Sequence, residues 1–388
     1  MANKINIFKR FLLVSFLTLI AVNGFSSEHE DTAVVATAEH AVDAHAEEAH
    51  AEGGHGDAHF DAGATIVEHV ADNHQWHLFG HVSLPLPVIV KTDKGIEVFS
   101  SAHFGHDGKE HYQGQNYTYA VKEGSLVIVD ETGTENHEAT AKLWDFSITK
   151  NTLAMFISMV LMLVIFISVA KAYTRNQGKA PKGLQSFMEP LILFIRDDVA
   201  KVSIGEKRYM KFMPFLLTVF FFIWINNLMG LVPFFPGGAN VTGSISIAMV
   251  LAAFVLIITF VVANKHYWQH IFAMPGVPFG VLFILTPIEI LGLFLRPFVL
   301  MIRLFANITA GHIIALAFFS LIFIFGEMNA GLGFGISIVS LAFTVFMSAL
   351  ELLVAFLQAY VFTLLAAIYF GAAVDEGHEI HNHVDDHH

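Results

Sequence analysis

Cysteine is absent from all 388 residues, which excludes a disulfide, a thiolate metal site and a cysteine nucleophile. Charge is also scarce. Asp, Glu, Lys and Arg together supply 14% of the chain, and they gather between long apolar runs instead of alternating with them. No G-x-x-x-x-G-K-[ST] loop occurs, so the chain offers no such phosphate cradle for a nucleotide. What is abundant is apolar volume. Hydrophobic residues make up 55%, including 38 Phe, and the mean hydropathy is +0.59. That balance suits a polytopic helical membrane protein, whose main solvent is lipid, rather than a water-soluble globule. The formal net charge of -13 does not favour nucleic acid as a partner, and its surplus sits in one N-terminal stretch.

That stretch is preceded by residues 1–27, where Lys4, Lys9 and Arg10 lead into an apolar run from Phe11 to Val22 and then to Gly24, Ser26 and Ser27. The pattern reads as a cleavable export signal. A retained first membrane helix is the alternative, but the run falls short of the roughly 20 residues a span requires. Residues 28–82 follow as an acidic tract with ten histidines from His29 to His81 and no Lys or Arg before Lys91. Such composition cannot bury a core and reads as disordered. It is either a solvated acidic spacer or a weak binder of divalent metal or protons. Over 83–147 the runs Val88-Ile89-Val90, Ile96-Glu97-Val98-Phe99 and Leu126-Val127-Ile128-Val129 are punctuated by turns such as Asp107-Gly108. They predict a small β-rich module on the exported side.

From 148 to 374 the sequence predicts a membrane domain of about five helices. The first runs from Asn151 to Ala170, and the loop after it carries Lys171, Arg175, Lys179 and Lys182, which marks the cytoplasmic side. Gln185 to Ala200 reads as an amphipathic helix in the interface, with Phe187, Leu191, Phe194, Ile195 and Val199 on its apolar face. Spans at about 212–232 and 244–263 come next. From Pro275 to Phe325 the apolar sequence is far too long for one upright crossing, so it must be tilted, broken at Pro287 and Pro297, or both. A loop near Gly326 to Gly333 turns the chain back into a last long run, Gly335 to Phe370. Five crossings leave the acidic, His-rich tail at 375–388 in the cytoplasm.

An ionised side chain at the bilayer centre costs roughly 3 kcal/mol on insertion scales. Glu289, Arg303 and Glu351 therefore point to an ion path. At 100° per residue, Arg303, Asn307 and Ala310 share one sector of a helix with Ala306 beside them, a cationic stripe of small neighbours. His312 lies nine positions on, about 180° round, and Glu351 and Gln358, seven apart, share a face of the last helix.

The run Arg303-Leu304-Phe305-Ala306-Asn307-Ile308-Thr309-Ala310-Gly311-His312 resembles the R-L-F-x-N-x-x-A-G-[EH] signature of the a subunits of F-type ATP synthases. The likeness extends to Pro297, to Leu357-Gln358-Ala359-Tyr360 and to Asn227 through Pro233, and covers roughly 187–373. The resemblance implies a stationary proton-channel subunit without a catalytic centre or cofactor of its own. In that family two long tilted helices form a hairpin around a ring of c-type proteolipids, and b-type stalk subunits complete the membrane sector. It implies that Arg303 faces the ring carboxylates, that His312 and Glu351 serve the half-channels, and that Glu289 is a further acidic channel position. Asn307 and Gln358 match polar neighbours of the arginine. The implied location is the bacterial plasma (inner) membrane. A reading from a different class is a divalent-metal transporter with His312, Glu289 and Glu351 as ligands and the His-rich tract as an external trap.

Overall fold

A computed structural model of the chain describes residues 72–375 apart from 80–81, 106–109, 123, 131, 233–234, 273, 275–276 and 329, with backbone alone at a few further helix and strand positions. The export signal, the His-rich tract as far as residue 71 and the tail from 376 onward lie outside the described residues.

Among the described residues eight short strands come first. β1 (Gln75–Phe79) and β2 (Val82–Pro85) form an antiparallel pair. β3 (Pro87–Thr92) and β4 (Gly95–Ser100) make a hairpin whose other edge is β8 (Trp144–Asp145), in the order β4-β3-β8. β5 (Tyr112–Gln113), β6 (Thr118–Lys122) and β7 (Ser125–Val129) form the third sheet. Alternation places Val88, Val90, Leu126 and Ile128 inward with Phe104 and Tyr119, all buried. The one carboxylate in this core, Glu97, is satisfied by the backbone N–H groups of Gln115 and Asn116 and by the Tyr119 hydroxyl. Order thus starts at Gln75 or earlier, ahead of the boundary at residue 82 read from composition. Packing explains the difference: Trp76 is 2% exposed, and His74 Nε2 lies 2.8 Å from Asp145 Oδ2.

The module passes into helix α1 (Lys150–Arg175) through a polar junction. Thr149 caps the helix, the Asp72 carboxylate accepts from Thr149 Oγ1 and from the Asn151 N–H, and the Lys150 N–H donates to Asn73.

Six more helices follow: α2 (Leu184–Phe194), α3 (Tyr209–Leu231), α4 (Ile245–Val262), α5 (Lys265–Phe272), α6 (Phe279–Met328) and α7 (Ala330–Val374). Five, namely α1, α3, α4, α6 and α7, are long and apolar enough to cross a membrane. The central helix is α3. In its most apolar stretch 72% is buried inside the chain, against 6% and 11% for α6 and α7, whose outer faces await lipid or another subunit. α2 continues into a π-helical segment (Ile195–Lys201) and a last turn (Val202–Ile204), and runs antiparallel to α3, with Phe187 against Trp224 and Lys201 over Tyr209. Its inward stripe is Gln185, Met188, Ile195 and Val199, while Phe187, on the apolar face read from the sequence as interfacial, is 59% exposed. The Arg196 and Lys201 cations flank Asp197 at 2.7 and 2.8 Å. First Arg196 and then Lys201 hold that carboxyl well below the usual range.

Two expectations for the last hairpin need correction. α6 is one helix of 50 residues that contains both Pro287 and Pro297, so the long apolar run is accommodated without a break. Each proline removes a single backbone donor, and the turns on both sides carry the helix through. At 1.5 Å per residue α6 is roughly 75 Å long, more than twice the hydrocarbon thickness, so it must lie steeply tilted. The reversal is also tighter than the Gly326 to Gly333 loop, because α6 ends at Met328 and α7 starts at Ala330.

Candidate functional site

Arg303, Ala306, Asn307 and Ala310 all fall on the exposed side of α6, while Leu304 and Thr309 are buried against the chain's own core. The helical period that groups the four residues thus turns Arg303, Ala306 and Ala310 away from this subunit, with Asn307 at the edge of the stripe. Among the described residues Arg303 makes no ion pair. A guanidinium stays protonated at any working pH, so it presents a fixed positive charge to whatever packs there.

The two hairpin helices meet next to it. Asn307 Nδ2 donates to Gln358 Oε1 at 2.9 Å, with Gln358 only 4% exposed. One turn beyond, Glu351 lies over Gly311: a Cβ added at that glycine would stand 2.8 Å from Glu351 Oε1. The glycine leaves the room this carboxylate occupies. His312 is on α6 at the same level, and its side chain lies outside the described residues.

Glu289 is elsewhere. It is 14 positions before Arg303 on the same helix, roughly 21 Å along the axis, whereas Gly311 is eight positions after it, roughly 12 Å the other way. Glu289 pairs with Arg296 at 3.7 Å. Arg296 stands 5.9 Å from the centroid of the Tyr369 ring and interacts with the Tyr267 hydroxyl on α5. Burial pushes the Tyr267 phenol up, opposed by that guanidinium. Thr259, Tyr267, Arg296, Pro297 and Tyr369 line a crevice there. Arg296 is therefore part of a polar cluster. The seven-residue spacing of Glu289 and Arg296 puts the two on one face of α6, and proximity of α5 and α7 adds Tyr267 and Tyr369.

A second polar group sits at the opposite end, around the loop between α3 and α4. Thr309 Oγ1 donates to Gly243 O at 3.3 Å, Asn227 Nδ2 donates to Ala355 O at 3.2 Å, and Thr242 donates to the Asn227 side chain. Asn226 Oδ1 and Asn240 Oδ1 are buried there without a partner among the described residues. Unsatisfied buried acceptors of this kind mark places for water. Asn226, Asn240 and Thr242 are missed by sequence reasoning because single Asn and Thr residues in loops and helix ends have a routine capping use. Along α6, Arg303 thus stands between Glu289 on one side and Gly311, against which Glu351 lies, on the other.

A family model described as ATP synthase A chain matches residues 152–371, and a second, described as a domain of unknown function (DUF8433), matches residues 65–146. ATP synthase subunit a of Chloroherpeton thalassium is 43% identical over 251 residues, covering 63% of this chain and 72% of that protein. ATP synthase subunit a 2 of Chlorobaculum tepidum is 43% identical over 248 residues, covering 61% and 67%. ATP synthase subunit a of an Anaeromyxobacter species is 39% identical over 252 residues, covering 63% and 57%.

Proposed function

The chain belongs to the ATP synthase A chain family, and from that premise we propose that Arg303 is the fixed cation separating two proton half-channels that meet a rotating ring of c-type proteolipids. The observation that carries this reading is the exposed stripe of Arg303, Ala306, Asn307 and Ala310, set between two carboxylate clusters on one tilted helix. Small residues around the guanidinium let a neighbouring helix approach closely.

Protons enter from one side through the Asn226, Asn240, Thr242 and Glu351 cluster, with His312 beside it, and leave past Glu289 and Arg296 on the other. When a ring carboxylate reaches Arg303, the positive charge favours its ionised form and its proton departs into the exit route. It can return to lipid only after picking up another proton from the entry route, because a bare carboxylate in hydrocarbon is too costly. Arg303 cannot donate a proton, so the two routes never connect directly. Each proton falling through 100 mV supplies roughly 2.3 kcal/mol, and the ring collects several per turn. Asn307 and Gln358 hold the hairpin in register beside the cation.

The subunit sits in the bacterial plasma membrane, with the N-terminal extension outside the cytoplasm, residues 1–27 as its export signal and the C-terminus inside. Its partners are the c-ring and b-type stalk subunits, and ATP chemistry belongs to other subunits of the assembly. The test is Arg303→Ala in membrane vesicles: respiration-driven ATP synthesis and ATP-driven acidification fall to background while the ring still co-purifies. Coupled synthesis at an undiminished rate would overturn the assignment.

A further inference from the structure

The outward side of the β4-β3-β8 sheet remains unaccounted for by the proton path. Alternation gives this side Ile89 and Lys91 from β3, Ile96 and Val98 from β4, Trp144 from β8 and Phe146 just beyond it. Ile96 is 69% exposed, Val98 66%, Trp144 51% and Phe146 39%. The Trp144 and Phe146 rings stack with centroids 6.4 Å apart. A contiguous apolar sheet face of this kind marks a binding surface.

We propose that this face rests on the lipid headgroup layer and fixes the β module to the membrane surface. Three observations favour lipid over a protein partner. First, the strand that carries the aromatics runs directly into the membrane: Phe146 donates to Ile89, Ile148 to Pro87, and α1 starts at Lys150. Four residues of extended chain reach at most about 14 Å, which keeps Phe146 close to the interface. Second, Lys91 is the only ionisable side chain at these outward strand positions, although residues 72–149 carry 11 Asp and Glu against 5 Lys. A lone lysine amid Trp, Phe, Ile and Val matches the anionic and apolar layers of a bilayer surface, with the ammonium directed to phosphate and the rings in the interfacial belt. Third, Trp76 of the same module packs edge-on to Phe235 of the α3–α4 loop at 5.1 Å, so the module already lies against that end of the helices.

The absence of cysteine makes the test direct. Ile96→Cys, Val98→Cys and, as a reference on an exposed turn of the other sheet, Thr132→Cys are spin-labelled in the full chain. The labelled chains are reconstituted into vesicles of phosphatidylethanolamine and phosphatidylglycerol. Collision with oxygen relative to a water-soluble nickel chelate reports immersion. The expected result is a ratio several-fold higher at 96 and 98 than at 132, both in the chain alone and in the complete ATP synthase. Equal ratios at all three positions would overturn the proposal. So would labels that are wet in the chain alone but shielded from both reagents in the complete assembly, since the cover would then be another subunit. The labelled positions are exposed in the fold, so the substitutions leave packing intact. Proton coupling is not read, so the outcome is independent of the Arg303 assignment.

Discussion

Gly311 gives the sharpest test of how the half-channel carboxylate is held. Any side chain there meets Glu351 first: the added Cβ falls 2.8 Å from Oε1, 3.4 Å from Cγ and 3.5 Å from Cδ. With Gly311→Ala the carboxylate oxygen must retreat by about 0.7 Å to reach an ordinary contact near 3.5 Å. Gly311→Val adds two further methyl groups on the same side and drives the displacement past about 1 Å. Proton relay needs heavy atoms within about 2.6–3.2 Å of each other, and a 1 Å misplacement of a reacting group costs about 100-fold. The expected result is therefore a several-fold slower proton flow for Gly311→Ala and about 100-fold slower for Gly311→Val. Helix stability does not confuse the reading, because Ala in a helix interior is favoured over Gly by about 1 kcal/mol. The assay is ATP-driven acidification of inside-out vesicles, with passive proton leak measured after the catalytic sector is stripped and ring co-purification as the assembly control. Undiminished flow in Gly311→Val would refute both the contact and the role given to Glu351.

Two further substitutions separate relay from registry. Glu351→Gln slows proton flow more than Gln358→Asn, since only a titratable group passes a proton on, whereas the shorter Gln358→Asn loses the Asn307 hydrogen bond worth about 1 kcal/mol; equal rates in reconstituted vesicles would refute the distinction. At the module junction two half-buried acids have opposite signs. Burial raises the Asp72 carboxyl against its hydrogen bonds to Asn151 and Thr149. A raised folded value means that its contribution is fully present below the unfolded value of 3.8 and is lost as pH rises through the folded one. Burial also works to raise Asp145, but the bonds to His74 and Ser147 outweigh it and lower the net value. Its contribution is therefore present above 3.8 and lost as pH falls through the lowered value. At pH 7, Asp72→Asn should leave thermal stability of the purified chain unchanged or higher, and Asp145→Asn should lower it; the reverse order would refute the assignment of the two environments.

The membrane helices were legible because length and hydropathy are one-dimensional properties. α1, α3 and α4 start and stop within a few residues of the apolar runs that announce them. The β-rich character of the module was legible from the runs Val88-Ile89-Val90 and Ile96-Glu97-Val98-Phe99, which form β3 and β4. What sequence could not show was contact between elements. The Glu289, Arg296, Tyr267 and Tyr369 cluster draws on three helices and on residues as far apart as Tyr267 and Tyr369, about 100 positions. The start of order ahead of residue 82 depends on Asp145, some seventy positions away. Both prolines in α6 looked like breaks because the local rule counts the lost donor but not the turns that carry on past it.

On the proposed function, the length of α6 lets one subunit offer a proton two entrances without a leak. Glu289 and Gly311 are 22 positions apart on a continuous helix, roughly 33 Å, and Glu351 is held at Gly311. Ligands of one metal ion stand about 2 Å from it, so Glu289 and Glu351 cannot share a cation, and a metal transporter that uses both at one site is physically closed. The same separation suits a path with two ends. On an upright helix it would exceed the hydrocarbon thickness of about 30 Å and put both acids in water. On a steeply tilted one, both acids stay at membrane depth but are displaced sideways from each other, with Arg303 between them. A proton arriving at one must then be carried laterally to reach the other, and a ring of carboxylates turning past the cation is a carrier that moves in that direction.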